Sequence, residues 1–166
     1  MTHKLITSFI IGSLLGWIAE VVGVLITSGE FVNRGFLYGP FLPIYGIGGV
    51  LFILLFHSKK YSIIYIFIVG MIIASIIEYF TSYLLELIFN DKWWDYSYYS
   101  FNLHGRIALW SSICFGIAAI FTMKVIWPLV NLIYKKSRNN FLKIINWLFL
   151  LYFIIDLTLS VIKNST

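Results

Sequence analysis

The sequence predicts an all-α fold, a bundle of about five transmembrane helices that together form a single integral membrane domain over residues 1–166. Of the 166 residues, 60% are hydrophobic and only 11% are charged, against about 25% charged in soluble domains. The apolar residues form long runs, and the basic residues concentrate in the short stretches between them. The net charge of +5 is therefore expected to report membrane topology, and the expected surroundings are the lipid bilayer, with no nucleic-acid partner.

The apolar runs predict helices over residues 5–28, 43–57, 61–89, 106–134 and 141–162. The first run is too long for a cleavable signal and contains Glu20. The second helix has about 15 residues and would extend roughly 22 Å, which is short of the ~30 Å hydrocarbon core. The missing length must then come from residues 35–42 in an irregular conformation.

The stretch from Asn33 to Gly49, NRGFLYGPFLPIYGIGG, organises the whole prediction. Pro40 and Pro43 prevent a regular helix from starting earlier than residue 43. Irregular backbone at membrane depth is tolerated only where it is buried in protein or lines a watery cavity, and helices interrupted by Gly and Pro are typical of transporter binding sites. The alternative is a loop at headgroup level in which Arg34 contacts lipid phosphate, but polar residues elsewhere favour the cavity.

The charges are distributed unequally between the two ends of the predicted helices. Eight basic residues fall on one side: Lys4, Lys59, Lys60, Lys124, Lys135, Lys136, Arg138 and Lys143. Four fall on the other: Arg34, Lys92, Arg106 and Lys163. This predicts a cytoplasmic N-terminus and an external C-terminus. All the acids lie in the outer half: Glu20, Glu30, Glu78, Glu86, Asp91, Asp95 and Asp156. Because acids contribute little to topology, their segregation suggests an outward-facing polar cavity.

Two acids are the main candidates for that cavity. Glu20 lies about 12 Å inside the first helix, and Glu78 belongs to a stripe with Ser75, Ser82 and Glu86 that the 3-4-4 spacing places on one helix face. An ionised carboxyl at that depth costs several kcal/mol unless it is paired or hydrated. The predicted substrate-binding residues are Glu20, Asn33, Arg34, Tyr45, Glu78, Trp94, Asp95, Tyr96, Asn102 and Arg106.

The loop DKWWDYSYYSFNLHGR, residues 91–106, is rich in aromatic side chains. For Trp93, Tyr98 and Tyr99 an interfacial belt is the simpler interpretation, and an aromatic, acidic rim around a cationic ligand is the alternative. Asn102 or Gly105 is a candidate cap for the fourth helix. Arg106 is expected to seek a carboxylate.

Three blocks together resemble a known bacterial family: GWIAE at 16–20, the 33–49 stretch, and WDYS with FNLHGR at 94–106, preceded by EYFTSYLLE at 78–86. They are similar to the CmpB-like, ABC-transporter type IV membrane proteins. The resemblance covers residues 8–120 and implies a small multi-pass protein of the bacterial inner membrane, a permease component served by a separate ATPase or another membrane subunit.

Three functions remain open, and we rank a transport role first. In that role a cavity holds Glu20 and Glu78, with Arg34 and Arg106 as partners or anion contacts. The second function is a structural or partner-binding subunit whose acids and arginines form salt bridges. The third is an enzyme acting on a lipid or isoprenoid with the two glutamates as general acid and base. No Walker A motif, metal-ligand spacing or cofactor motif is found, and the single Cys114 excludes an internal disulfide.

Overall fold

The computed structural model describes residues 1–90, 92, 94–137 and 139–165, with the backbone alone at residues 89, 139, 164 and 165. Three predictions therefore lie outside the described residues: the interfacial position of Trp93 and the charges assigned to Asp91 and Arg138.

The structure confirms an all-α membrane-type fold with very little sheet. Its helices are α1 (Thr2–Ser28), α2 (Pro43–Phe56), α3 (Ile63–Phe89), α4 (Leu109–Phe121), a π-helical turn (Thr122–Ile126), α5 (Trp127–Lys136) and α6 (Asn139–Ser165). Among the residues that the structure describes, four helical runs are long and apolar enough to cross a membrane: Thr2–Ser28, Ile63–Ile88, Leu109–Lys136 and Asn140–Lys163. Helix α2 is the short one, and it begins at Pro43 as the proline rule predicts.

The fourth span begins later than predicted. Residues Asn102–Leu103 (β1) and Ile107–Ala108 (β2) form a small antiparallel hairpin, so α4 starts at Leu109 and not at residue 106. The hairpin turn places His104 and Gly105 at φ 55° and 68°, a conformation that ends a helix and does not start one. The proposed capping roles of Asn102 and Gly105 are therefore wrong, because Ala108 is the N-cap residue.

Pro128 lies inside the same apolar run without ending it. The proline lacks an N–H and cannot bond the carbonyl four residues earlier, at Lys124. The π-helical turn at Thr122–Ile126 directly precedes it. Helical structure then continues to Lys136, so the irregularity is absorbed inside the span.

The chain divides into two compact units, and the single-domain assignment stays a prediction. The first unit comprises Met1–Leu54 and Lys124–Thr166, and the second comprises Leu55–Met123. In the first unit α1 packs against α5 and α6. In the second unit α3 packs along α4.

Glycines bring α1 and α2 into close contact in the first unit. A Cβ at Gly12 would lie 3.3 Å from the Cα of Gly46, and a Cβ at Gly16 would overlap the ring of Tyr45. Gly12 and Gly16 therefore form a helix-packing surface on α1. Gly23 does not share that role, because nothing lies within 4 Å of a Cβ built there.

A polar cluster joins α1, α5 and α6 near the start of α1. The Asn146 amide donates to the His3 carbonyl at 2.9 Å and to the Tyr134 hydroxyl at 3.0 Å. Asn146 also accepts from Thr7 Oγ1 at 3.0 Å, and it is only 2% exposed. Since buried polar groups cost free energy unless they are bonded, this cluster fixes the three helices at one level.

Serines and a glycine bring α3 and α4 together in the second unit. Ser75 Oγ donates to Ser112 Oγ at 2.7 Å, and Ser112 bonds back to its own helix at the Ala108 carbonyl. A Cβ at Gly116 would overlap the ring of Phe67. Ser75 is thus a packing residue, which accounts for one member of the polar stripe predicted in α3.

Candidate functional site

Glu20 is the centre of the polar group in the first unit. Its Oε1 accepts a 2.6 Å hydrogen bond from the hydroxyl of Tyr45, which stands in the first turn of α2. Its Oε2 lies 3.7 Å from Nε of Arg34. The packing of Tyr45 against Gly16 brings the phenol to this level of α1. Glu20, Arg34 and Tyr45 were predicted to share a site, and the structure brings the three together.

This carboxylate and guanidinium are only partly covered by protein. The side chains of Arg34 and Glu20 are 47% and 35% exposed. Glu20 nevertheless lies eight residues before the end of α1, about 12 Å along the helix. The pair therefore presents charge on an open face within a helix that is long and apolar enough to cross a membrane.

The fourth predicted residue of this group, Asn33, contacts a different partner. Its Oδ1 accepts from the indole N–H of Trp17 at 2.7 Å. Its amide lies 3.4 Å from the Tyr38 carbonyl. Asn33 thus bonds the loop to α1 and also bonds within the loop. It therefore helps to position the loop segment that carries Arg34.

Asp156 holds the loop before α2, and sequence reasoning missed this contact. The carboxylate accepts the backbone N–H groups of Tyr38 at 3.0 Å and Gly39 at 2.9 Å. It also accepts from the hydroxyls of Tyr152 at 3.1 Å and Ser160 at 3.3 Å. Asp156 is only 5% exposed, so it is a buried carboxylate whose described partners are backbone amides and hydroxyls.

A signal for this contact was present in the sequence. Tyr152 and Ser160 stand four residues before and after Asp156, so all three occupy one face of α6. Two hydroxyls on the same helix face as a carboxylate indicate that the carboxylate accepts hydrogen bonds from its own helix. The backbone donors of residues 38 and 39 have no sequence signature, because any residue except proline carries an N–H.

Glu78 is the centre of a separate group in the second unit. Its Oε1 accepts from the Tyr96 hydroxyl at 3.2 Å, and its Oε2 accepts from Ser111 Oγ at 3.4 Å. The predicted partner Arg106 does not contact it. Arg106 misses Glu78 because the hairpin places Arg106 in the turn after β1, away from the start of α4.

Arg106 pairs instead with Glu86, two turns further along α3. Its guanidinium lies 2.5 Å from Glu86 Oε2 and is centred 5.3 Å and 5.8 Å from the rings of Tyr83 and Tyr79. The Arg106 side chain is only 14% exposed. Enclosed by two aromatic rings and one carboxylate, Arg106 has the environment of an architectural ion pair.

The remaining predicted residues stabilise the loop that leads to the hairpin. Trp94 donates its indole N–H to the Arg106 carbonyl at 3.0 Å. Asn102 donates to the Tyr99 carbonyl at 2.7 Å and accepts from the Gly105 N–H at 2.9 Å. Each of these bonds lies within the segment 94–106 and shapes it.

Asp95 forms a turn with Ser97. Its Oδ1 accepts from the Ser97 hydroxyl at 2.5 Å and from the Ser97 amide at 2.9 Å. The hydroxyl first, and then the amide, hold the pKa of Asp95 below its usual range because they stabilise the charged form. The Asp95 carboxylate thereby uses one oxygen for local structure and leaves the other toward solvent.

One comparison with known proteins identifies the family. The family model described as "Putative ABC-transporter type IV" matches residues 7–161. The chain belongs to this family. No curated protein and no solved structure matches the chain significantly.

The family blocks coincide with the contacts described above. The 33–49 block supplies Arg34, Tyr45 and the two amides that hold Asp156, and the 16–20 block supplies Glu20. The match also reaches α6, which the resemblance found from the sequence did not cover. Asp156 thus lies inside the family's extent.

The two groups differ in what they leave available. The Glu20 group presents a partly exposed ion pair, whereas in the second unit the Arg106 side chain, paired with Glu86, is enclosed and Trp94 and Asn102 bond to backbone. The groups lie in different units, and their union in one cavity stays a prediction.

Proposed function

We propose that this protein is a permease-like component of a membrane transport system and that Glu20, Arg34 and Tyr45 form part of its substrate-facing site. The observation that carries the proposal is the exposure of the Glu20–Arg34 pair about 12 Å inside a membrane-spanning helix. Membership in an ABC-transporter-type family supports the same assignment.

The physical reason is the cost of exposed charge in hydrocarbon. A charged side chain near the bilayer centre costs several kcal/mol, and a single ion-pair contact at 3.7 Å does not replace a hydration shell. The face that carries Glu20 and Arg34 must therefore meet water, a polar ligand or another protein. A transport site supplies the first two.

The pair also retains hydrogen-bonding capacity for a ligand. A carboxylate can accept about four hydrogen bonds and a guanidinium can donate five, whereas the described contacts are the Tyr45 hydroxyl and one long ion-pair contact. Arg34 is suited to an anionic group of the substrate. Glu20 is suited to a hydroxyl or an amine.

The remaining parts of the proposal concern topology and partners. The distribution of basic residues supports a cytoplasmic N-terminus in a bacterial inner membrane, with the Glu20 group facing outward. A separate ATPase would supply the energy, since this sequence carries no Walker A motif. The polar group around Glu78 belongs to the same predicted outer half.

The test is ligand-dependent thermal stability of the purified protein in detergent, scanned against a library of small polar molecules. A ligand that binds only the folded state raises the apparent stability. We expect one compound class to stabilise the wild type and to lose its effect in Glu20→Gln and Arg34→Gln. Glu30→Gln is the matched control, because Glu30 is an exposed acid on the same side and takes part in no described ion pair.

The competing function, partner binding, follows from the same exposure and has its own test. In a Cys114→Ala background, Glu20→Cys should react in intact cells with a membrane-impermeant thiol reagent if the face is open to external water. Labelling that occurs only after purification would mean that this face is covered in the membrane. Protection in the membrane would refute a water-open substrate site, and protection that depends on co-expressed native membrane proteins and is absent in liposomes of the purified protein would support the structural, partner-binding subunit.

A further inference from the structure

A second polar surface lies at the opposite end of the first unit from Glu20. A pocket of about 350 Å³ opens where α1 begins, α5 ends and α6 begins. Three lysines from these three helices line it: Lys4, Lys135 and Lys143. By helical rise Lys4 is about 24 Å from Glu20, so this basic pocket is independent of the proposed substrate site.

The pocket has no acid to balance its lysines among the described residues of the first unit. The acids there are Glu20, Glu30 and Asp156. Asp156 lies about 20 Å along α6 from Lys143, and Glu30 follows the far end of α1. The ion pairs of the described part of the chain do not include any of the three lysines. Convergent like charges repel one another, and an anion between them removes that cost.

The basic pocket is also partly preorganised. Lys4 Nζ donates to Asn131 Oδ1 at 2.7 Å and lies 6.0 Å and 5.9 Å from the ring centres of Trp127 and Tyr134. An ammonium has three donors, so a fixed Lys4 can still donate to a ligand. His3 adds a buried Nδ1 that has no partner in the described structure, at the wall of the same pocket.

We propose that the basic pocket binds a phosphate group, carried either by an anionic phospholipid or by a small soluble phosphate. Three lysines that line one small pocket suit a compact oxyanion. The position at the ends of three apolar helices is the level of lipid headgroups, where basic pockets between helices bind acidic lipids. This inference does not depend on the proposed transport function.

The experiment measures the unfolding temperature of the full chain in phosphatidylcholine-containing micelles, titrated with phosphatidylglycerol in one arm and with inorganic phosphate in the other. We expect a saturable rise for the wild type. The variant Lys135→Gln/Lys143→Gln should weaken the apparent affinity roughly 30-fold, at about fivefold for each lysine near a membrane surface. Lys59→Gln/Lys60→Gln is the matched control, since it removes two exposed lysines from a loop of the second unit.

The two arms identify the source of the phosphate. A lysine-dependent rise with phosphatidylglycerol alone would assign the basic pocket to lipid, and the same rise with inorganic phosphate would assign it to a soluble ligand. The proposal is overturned if both double variants respond alike, or if neither ligand raises the unfolding temperature of the wild type. Counting of bound phosphatidylglycerol by native mass spectrometry gives the same comparison should the first double variant prove less stable.

Discussion

The replacement of Asp156 by asparagine should loosen the loop that precedes α2. The carboxylate accepts two backbone N–H groups on its two oxygens, from Tyr38 and from Gly39, with one hydroxyl beside each. Asparagine has almost the same shape but only one oxygen. One side of the contact would then place an NH₂ group against a backbone N–H. The Tyr38 N–H also donates to the Ser160 hydroxyl at 3.2 Å, so the favoured orientation of the asparagine keeps its oxygen on Gly39 and removes the charged acceptor of Tyr38.

The magnitude follows from the burial of the site. Asp156 is 5% exposed, so solvent cannot replace the lost acceptor. A buried donor left without a partner costs about 1–3 kcal/mol, and a hydrogen bond to a charged group contributes about 1.5–3 kcal/mol. Since the remaining oxygen keeps one pair of bonds in weaker, neutral form and the Tyr38 N–H keeps the Ser160 hydroxyl, the loss is that of hydrogen bonds to a charged group, and we expect Asp156→Asn to lower the free energy of unfolding by about 1.5–3 kcal/mol.

Two measurements test this prediction. Thermal unfolding in detergent gives the stability change, and hydrogen exchange should show loss of protection at the amides of Tyr38 and Gly39. Thr158→Ala is the control, because Thr158 is an exposed residue of the same helix whose hydroxyl bonds only to the carbonyl of Ile154. Unchanged exchange at both amides, together with a stability loss no larger than that of the control, would refute the reasoning.

Three other substitutions test separate contacts. Arg106→Ala should lower the free energy of unfolding by about 2 kcal/mol, because it loses the bond to Glu86 and two cation–π contacts, and Arg106→Lys should lower it by about half as much. Chemical denaturation compares the two variants. Equal losses would contradict the stacking role of the guanidinium. Gly46→Ala should cost about 1–3 kcal/mol because its Cβ would overlap α1, whereas Gly23→Ala, which meets open space, should be neutral or stabilising in the same assay. The lowered pKa of Asp95 means that its ionised form contributes stability above the usual pKa of about 4, and that this contribution is lost as pH falls through the folded-state pKa. The difference in unfolding temperature between wild type and Asp95→Asn should therefore shrink as pH is lowered from 7 to below 4, and a constant difference would contradict this.

The fold could be predicted from the sequence because every backbone N–H and C=O group in the hydrocarbon core must be hydrogen-bonded within the protein. Long apolar runs must be helical, so the spans and the short α2 were predictable. The main error in the spans, at Arg106, has a local cause. The hairpin around His104 and Gly105 requires two residues at positive φ, and a run of only two residues in each strand is too short to show a period.

The candidate site was readable only where side chains pair with side chains. Glu20 with Arg34 is such a pair, because opposite charges on one side of the membrane seek each other. Arg106 was expected to seek a carboxylate on its side of the membrane, with Glu20 and Glu78 as candidates, and it meets Glu86 instead. The sequence gives the side of the membrane but not the helical turn. Only the Tyr152 and Ser160 part of the Asp156 contact was readable, since its main donors are backbone amides.

The contact of Asp156 with the backbone amides of residues 38 and 39 explains how an irregular loop can keep Glu20 and Tyr45 at the same level. Gly39 lies so close to α6 that a Cβ would stand 2.7 Å from Asp156 Oδ2 and would overlap the Tyr152 hydroxyl. Glycine is therefore required there for close approach, independently of any turn conformation. The approach fixes residues 38 and 39 against α6, and the Leu42 amide then donates to the Ser13 carbonyl of α1 at 3.0 Å. Both ends of this short segment are thus held through their backbone N–H groups, which fixes the first turn of α2. The Tyr45 hydroxyl therefore reaches Glu20 independently of the Arg34 contact. The geometry of the proposed site is thus set by buried contacts on the far side of the loop, while the Arg34 side chain is 47% exposed.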